Sequence, residues 1–155
     1  MTDTITLRDA VEADIPALFE FHSDPEANKK GGFVPRTSEA FTKHFTENVL
    51  GKEEVIKKAI LLDGKLVGYL LCFYAKTQWE VGYWIRRGAR GKGVATNSMK
   101  AFLALLTNRP LFARVAQRNI GSVKVLEKLG FERVEEYIHT NEAGEKIPDF
   151  LYKLA

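Results

Sequence analysis

Val81-Gly82-Tyr83-Trp84-Ile85-Arg86-Arg87-Gly88-Ala89-Arg90-Gly91-Lys92-Gly93-Val94-Ala95 is the stretch whose reading decides the fold. Its first five residues are apolar or aromatic and read as a strand. Arg86 to Gly93 form a turn that mixes glycines with Arg86, Arg87, Arg90 and Lys92 and holds no acid. From Val94 to about Leu106 the pattern becomes that of an amphipathic helix. A helix N-terminus presents unpaired N–H groups and a partial positive charge. Glycines let the backbone approach an oxyanion closely, so strand, basic turn and helix together make a phosphate cradle. The turn is read as a site for a coenzyme pyrophosphate.

Working outward, 155 residues fit one domain with a sizeable core. No apolar run reaches the ~20 residues that cross a bilayer. Met1-Thr2-Asp3-Thr4 has no basic or apolar leader pattern, so no signal peptide is expected. The only cysteine, Cys72, stands in Leu70-Leu71-Cys72-Phe73 and reads as a buried strand thiol. With no internal disulfide possible, a cytoplasmic, reducing setting fits. The net charge of +3 is too small to argue for nucleic acid. No membrane partner is expected. His22, His44 and His139 form no pair at metal-ligand spacing, so no metal is expected and each reads as an ordinary histidine.

Thr4–Arg8 alternates as a first strand, and Glu12–His22 follows as a helix that Ser23-Asp24-Pro25 ends. Asn28–Pro35 is a loop by composition. Thr37 or Ser38 caps a second helix to about Leu50, with Phe41, Phe45 and Val49 on one face. Val55–Leu62, the Asp63-Gly64 turn and Leu66–Tyr74 read as a hairpin, and Trp79–Ile85 continues the meander. A helix separates that strand from Leu111–Ala116, so those two strands should run parallel. Asn119 caps a helix with Ile120, Val123, Leu126 or Val125, and Leu129 inward, which Gly130 stops. Phe131–Thr140 and Ile147–Leu154 close the chain as a hairpin, and Pro148 limits the pairing of the last strand. The expectation is an α+β fold, with helices on both faces of a mostly antiparallel sheet and one parallel βαβ unit at its centre.

This order resembles the GNAT-type N-acetyltransferases, which move an acetyl group from acetyl-CoA to an amine. Their coenzyme signature, (Gln or Arg)-x-x-Gly-x-(Gly or Ala), is matched by Arg90-Gly91-Lys92-Gly93-Val94-Ala95. Asn119-Ile120-Gly121-Ser122, closing in Glu127-Lys128-Leu129-Gly130-Phe131, is similar to the branch that includes the ribosomal-protein N-terminal acetyltransferases. A P-loop fits worse, because Arg86 and Gly93 stand where it needs a glycine and a hydroxyl.

The resemblance implies acetyl-CoA as co-substrate and backbone contacts to its pyrophosphate from Gly91 to Thr96, including Gly93, Val94 and Ala95. Arg90 and Lys92 would add charge, and Arg86 or Arg87 would reach the 3′-phosphate. Each of Arg86, Arg87 and Lys92 also reads as part of a solvated rim. Tyr83, Trp84 and Ile85 would flank the pantetheine. Asn119 would bind that arm or simply cap its own helix.

For the chemistry, a neutral amine must reach the thioester. At pH 7 an α-amine is roughly 14% neutral and a lysine amine about 0.04%. Strand alternation puts Glu80 beside Gly82, whose missing side chain leaves room for an amine, so Glu80 is the candidate general base. The alternative for Glu80 is a surface carboxylate paired with a lysine across the strands. The resemblance places a tyrosine acid seven residues after the Asn, and Leu126 stands there instead. Ser122 is the substitute donor expected here, ahead of Tyr83 and Tyr137. Phe21, Phe33, Trp79, Trp84 and Tyr137 are candidates for an acceptor cleft. Lys29, Lys30 and Arg36 disfavour a polyamine. The acceptor is expected to be a small-molecule or peptide amine, by resemblance a protein or peptide N-terminus, and the protein a monomer or homodimer. The alternatives are a small-molecule amine acetyltransferase and a non-catalytic acyl-CoA-binding module.

Overall fold

The computed structural model describes residues 4–89 and 93–155. Seven strands form one sheet: β1 (Ile5–Asp9), β2 (Ile56–Leu62), β3 (Lys65–Ala75), β4 (Gln78–Ile85), β5 (Leu111–Ala116), β6 (Glu132–Thr140) and β7 (Lys146–Leu154). Their order in space is β1-β2-β3-β4-β5-β7-β6. Every neighbouring pair is antiparallel except β4–β5, which is parallel. Asp63 and Gly64 both take positive φ, 51° and 83°, as a two-residue hairpin turn requires.

The helices are α1 (Ile15–His22), α2 (Pro25–Gly31), α3 (Ser38–His44), α4 (Val94–Leu105) and α5 (Ile120–Lys128). Helices α1 and α3 and the π-helical turn that follows α3 cover one face through Ile15, Leu18, Phe41, Phe45 and Val49, packed on Tyr69 of β3. Helices α4 and α5 cover the other through Met99, Phe102, Val123 and Leu126, packed on Leu70, Cys72, Val81 and Ile85. The alternation of Tyr69 with Leu70 and Cys72 explains why β3 is apolar throughout: both of its faces are covered. Among the described residues, no helix is long and apolar enough to cross a membrane.

Helix α2 corrects the expected loop. Asp24 accepts the Glu26 N–H at 3.1 Å, Pro25 takes the first helical position, and Gly32 ends the turn at φ 75°. Cap, proline and terminal glycine outweigh the low propensity of the residues between them. The second predicted helix is capped by Thr37, which accepts from Ala40 N–H at 3.1 Å. It widens into a π-helical turn over Phe45–Leu50 while keeping Phe41, Phe45 and Val49 buried. Strand β7 lies inside the sheet. Pro148 stands just past the last β5 pair, Ala116↔Asp149, where its carbonyl accepts the Gln117 N–H at 2.9 Å.

Candidate active site

The parallel strands β4 and β5 pair only at Trp79↔Leu111 and Glu80↔Phe112. Beyond that they diverge toward their C-terminal ends. A cavity of about 1280 Å³ occupies the opening and extends to both faces of the sheet. Ligand pockets commonly hold about 300–1,000 Å³, so this one has room for two reactants.

Of the expected coenzyme residues, Tyr83, Trp84, Ile85, Gly93, Val94, Ala95, Thr96, Asn119 and Ser122 all line this cavity. Arg90, Gly91 and Lys92 lie outside the described residues. Gly93 caps α4 at φ 72°, a left-handed conformation that a Cβ disfavours. Among the described residues no side chain caps the first turn of α4, and Val94, Ala95 and Thr96 of that turn line the cavity. Arg86 and Arg87 do not line the wall. Arg87 pairs with Asp24 and Glu26, tying the turn after β4 to α2. Asn119 caps α5 by accepting from Ser122 N–H at 3.4 Å. Ile120, expected inward, is 56% exposed and faces the cavity, because the core face of α5 begins at Val123.

On the α4–α5 face, Tyr83 donates its hydroxyl hydrogen to Ser122 Oγ at 2.8 Å. Leu126, one turn further along α5, is buried. A phenol from β4 therefore reaches the helix that lacks its own.

On the opposite face the strands carry a polar row. Glu80 is 5% exposed, and the Arg114 Nε–H is shared between both its oxygens at 3.1 Å each. Gln78 donates to it at 3.1 Å. Glu80 itself is not a wall residue, whereas Arg114 is. Arg114 also sits 5.3 Å from the centre of the Tyr137 ring. Burial works against the charge on Arg114, and Tyr137 and Glu80 outweigh it, holding its pKa above the ordinary value. Burial pushes the Tyr137 phenol up, and the Asp149 charge adds to this while Arg114 opposes it. The row ends in His139, whose Nδ1 lies 2.6 Å from Asp149 Oδ2. Asp149 is 5% exposed, and its Oδ1 is buried with no hydrogen-bond partner among the described residues.

Above that row stand aromatic rings. His22 stacks on Trp84 at 4.0 Å between centroids, and its Nε2 lies 2.6 Å from the Tyr69 hydroxyl. Burial, joined by the charges of Arg36 and His44, lowers the His22 pKa to about 3, so the ring is neutral. Phe33, Trp84 and Tyr137 line the cavity as expected, together with Arg36. Phe21 and Trp79 do not: the Phe21 carbonyl accepts from Trp84 Nε1–H at 3.0 Å, and Trp79 packs edge-on to Tyr74.

The family model described as "Acetyltransferase (GNAT) domain" matches residues 4–132. The chain belongs to the GNAT acetyltransferases. Membership implies acetyl transfer from an acyl-CoA. No curated protein sequence matches this chain. Solved structures similar to it include the aminoglycoside acetyltransferase AAC(6')-Ib bound to coenzyme A, at 22% identity and TM-score 0.79, over 98% of this chain and 95% of that one. A GNAT acetyltransferase from Bacillus anthracis matches at 20% identity and TM-score 0.81, over 99% and 96%. RimL, a ribosomal L7/L12 α-N-protein acetyltransferase bound to coenzyme A, matches at 19% identity and TM-score 0.81, over 97% and 93%. These likenesses establish the fold.

In this GNAT domain the cavity-lining residues that sequence reasoning did not single out are Arg114 and Asp149, together with His139, which it read as an ordinary histidine. A signal for the last two was present. A turn at Asn141–Gly144 fixes the β6–β7 register, which pairs Tyr137 with Asp149 and His139 with Ile147. Residues 137, 139 and 149 then share one face. No such rule joins Arg114 to Glu80, because the parallel register depends on how α4 packs.

Proposed function

We propose that this domain acetylates a primary amine by direct attack on acetyl-CoA, and that the acceptor is a peptide or protein N-terminus. The observation that carries the reading is the β4–β5 opening, with hydroxyl donors on one face and a polar row on the other. By the sequence signature, the pyrophosphate falls to Arg90–Gly93 and the first-turn N–H groups of Val94, Ala95 and Thr96. The pantetheine runs along β4 from Tyr83 to Ile85, with Asn119 and α5 opposite. The amine arrives from the α1–α3 face, and the thiol departs on the α4–α5 face. There Ser122 donates to the sulfur, and Tyr83, already donating to Ser122, stands behind it as a relay. Glu80 is engaged by Arg114 and Gln78, so we assign it to holding Arg114 at the apex of the opening.

The acceptor reading draws on charge. Lys30, Arg36 and Arg118 line the acceptor end beside Asp149 and Glu142, a balance that disfavours a polycation. An α-amine needs less help to lose its proton than a lysine amine. Arg36 beside His22, Phe33 and Trp84 also suits a small amine that carries a carboxylate and an apolar group, the second reading.

An acetyl-CoA turnover screen by thiol release, against free N-terminal peptides, amino acids, polyamines and aminoglycosides, tests both. Peptides should turn over and polycations should not. Tight coenzyme A binding with no turnover of any amine would favour a non-catalytic acyl-CoA-binding module.

A further inference from the structure

The polar row on the acceptor face ends in a pair that the coenzyme-binding reading leaves without a task. His139 lines the cavity, and its Nδ1 is 2.6 Å from Asp149 Oδ2. Asp149 is carried by the neighbouring strand β7, whose register with β5 places it directly opposite Ala116, on the same face as Arg114. A buried carboxylate beside one ring nitrogen fixes the tautomer: Nδ1 keeps the hydrogen and Nε2 presents a lone pair. That arrangement of base and orienting acid is the one by which buried Asp–His pairs activate nucleophiles. It lines the same cavity as Tyr83 and Ser122, on the sheet face from which the proposed amine approaches.

We propose that His139 is the general base of this acetyltransferase and Asp149 its positioning residue; the proposal rests on the acetyl-transfer reading above. The neutral amine forms a C–N bond to the thioester carbonyl carbon as His139 Nε2 takes one of its N–H protons. Collapse of the adduct breaks the C–S bond, and the electron pair leaves with sulfur. The thiolate takes a proton from the Ser122 hydroxyl, which Tyr83 replenishes, and solvent returns the imidazolium proton to the phenolate. Arg114, held by Glu80, keeps a fixed positive charge beside the row.

The test uses the full chain with acetyl-CoA and two probe acceptors, a free N-terminal Phe-Ala-Ala tripeptide and phenethylamine. His139→Ala should lower kcat at least about 100-fold, within the span of general base catalysis. KM for acetyl-CoA should stay within about twofold, since the coenzyme turn is untouched, and added imidazole should restore part of the rate. Asp149→Asn should also lower kcat at unchanged acetyl-CoA KM, because an amide N–H beside Nδ1 forces the wrong tautomer. Nitrogen-15 NMR supplies a readout independent of turnover. With only three histidines, the His139 signals are assigned by difference from His139→Gln, and they should report Nδ1–H in the wild type and its loss in Asp149→Asn. An Nε2–H tautomer in the wild type overturns the proposal, as does His139→Ala that keeps kcat within about threefold. If the wild type binds acetyl-CoA but acetylates neither probe nor any amine of the screen, the acetyl-transfer reading fails first and takes this proposal with it.

Discussion

Glu80, Ser122 and Tyr83, all near the β4–β5 opening, differ in how they are already engaged. Glu80 accepts from Arg114 Nε and from Gln78, and a base so engaged must break an ion pair before it can take a proton. Glutamine at this position keeps an oxygen for the Arg114 N–H. Glu80→Gln should therefore lower kcat by less than about tenfold, well short of the ~10²–10⁴ that a general base supplies. A larger loss at constant acetyl-CoA KM would return the base to Glu80. Ser122 and Tyr83 form one donor unit through a 2.8 Å hydrogen bond. Ser122→Ala and Tyr83→Phe should each slow turnover by roughly tenfold, about 1.4 kcal/mol of barrier. The double variant should be little worse than either single one, because residues that act as a unit are not additive. Two independent losses that multiply would separate the hydroxyls.

At the scale of elements, strands β3 and β4 carry glycines with opposite consequences. A Cβ on Gly68 would lie 2.2 Å from the Trp84 carbonyl oxygen, so the close approach of the two strands depends on its absence. Gly68→Ala should destabilise the protein by about 2–3 kcal/mol through overpacking against backbone. A Cβ on Gly82 meets nothing within 4 Å and enters the cavity near the apex of the opening. Gly82→Ala should leave the melting temperature nearly unchanged and raise the KM of the acceptor several-fold while sparing that of acetyl-CoA. Thermal unfolding and steady-state kinetics on the two variants check both, and the reverse pattern would mean that the opening is not the acceptor's path. These glycines also mark how far the sequence could be read. The space beside Glu80 follows from Gly82 and strand alternation, as do the hairpins, the central parallel pair and the face carrying Tyr83. Helix α2 was hidden because its composition is that of a loop, and only its cap and terminal glycine make it helical. The partner of Glu80 was hidden because Arg114 is distant in sequence and belongs to a parallel neighbour.

For the molecule as a whole, the aromatic layer around His22 sets a pH limit on stability. His22 is packed between Phe41 and Trp84, with the Tyr69 hydroxyl on its Nε2 and the positive charges of Arg36 and His44 nearby. Its pKa is lowered to about 3 in the folded state, against about 6.5 in an unfolded chain. Between these values the unfolded chain binds the extra proton, so stability is complete above about pH 6.5 and declines as the pH falls toward 3. The slope reaches at most about 1.4 kcal/mol per pH unit from this one group. The His44 pKa is also lowered by burial and adds in the same direction. Acid loss from Asp14, whose pKa is lowered by its hydrogen bond from Arg8, begins only below the ordinary carboxylate range near 3.9. The window from pH 6.5 to 4.5 therefore belongs to His22 and His44. Phenylalanine in place of His22 retains the stack on Trp84 but cannot titrate, and it takes the hydrogen bond from the buried Tyr69 hydroxyl, a cost of about 1–3 kcal/mol. His22→Phe should start with a lower melting temperature at pH 7 and fall much less than the wild type on acidification to pH 5. The two curves should converge or cross within that window. If they run parallel from pH 7 to 5, His22 is charged or exposed in the folded protein, and its burial between Phe41 and Trp84 is wrong.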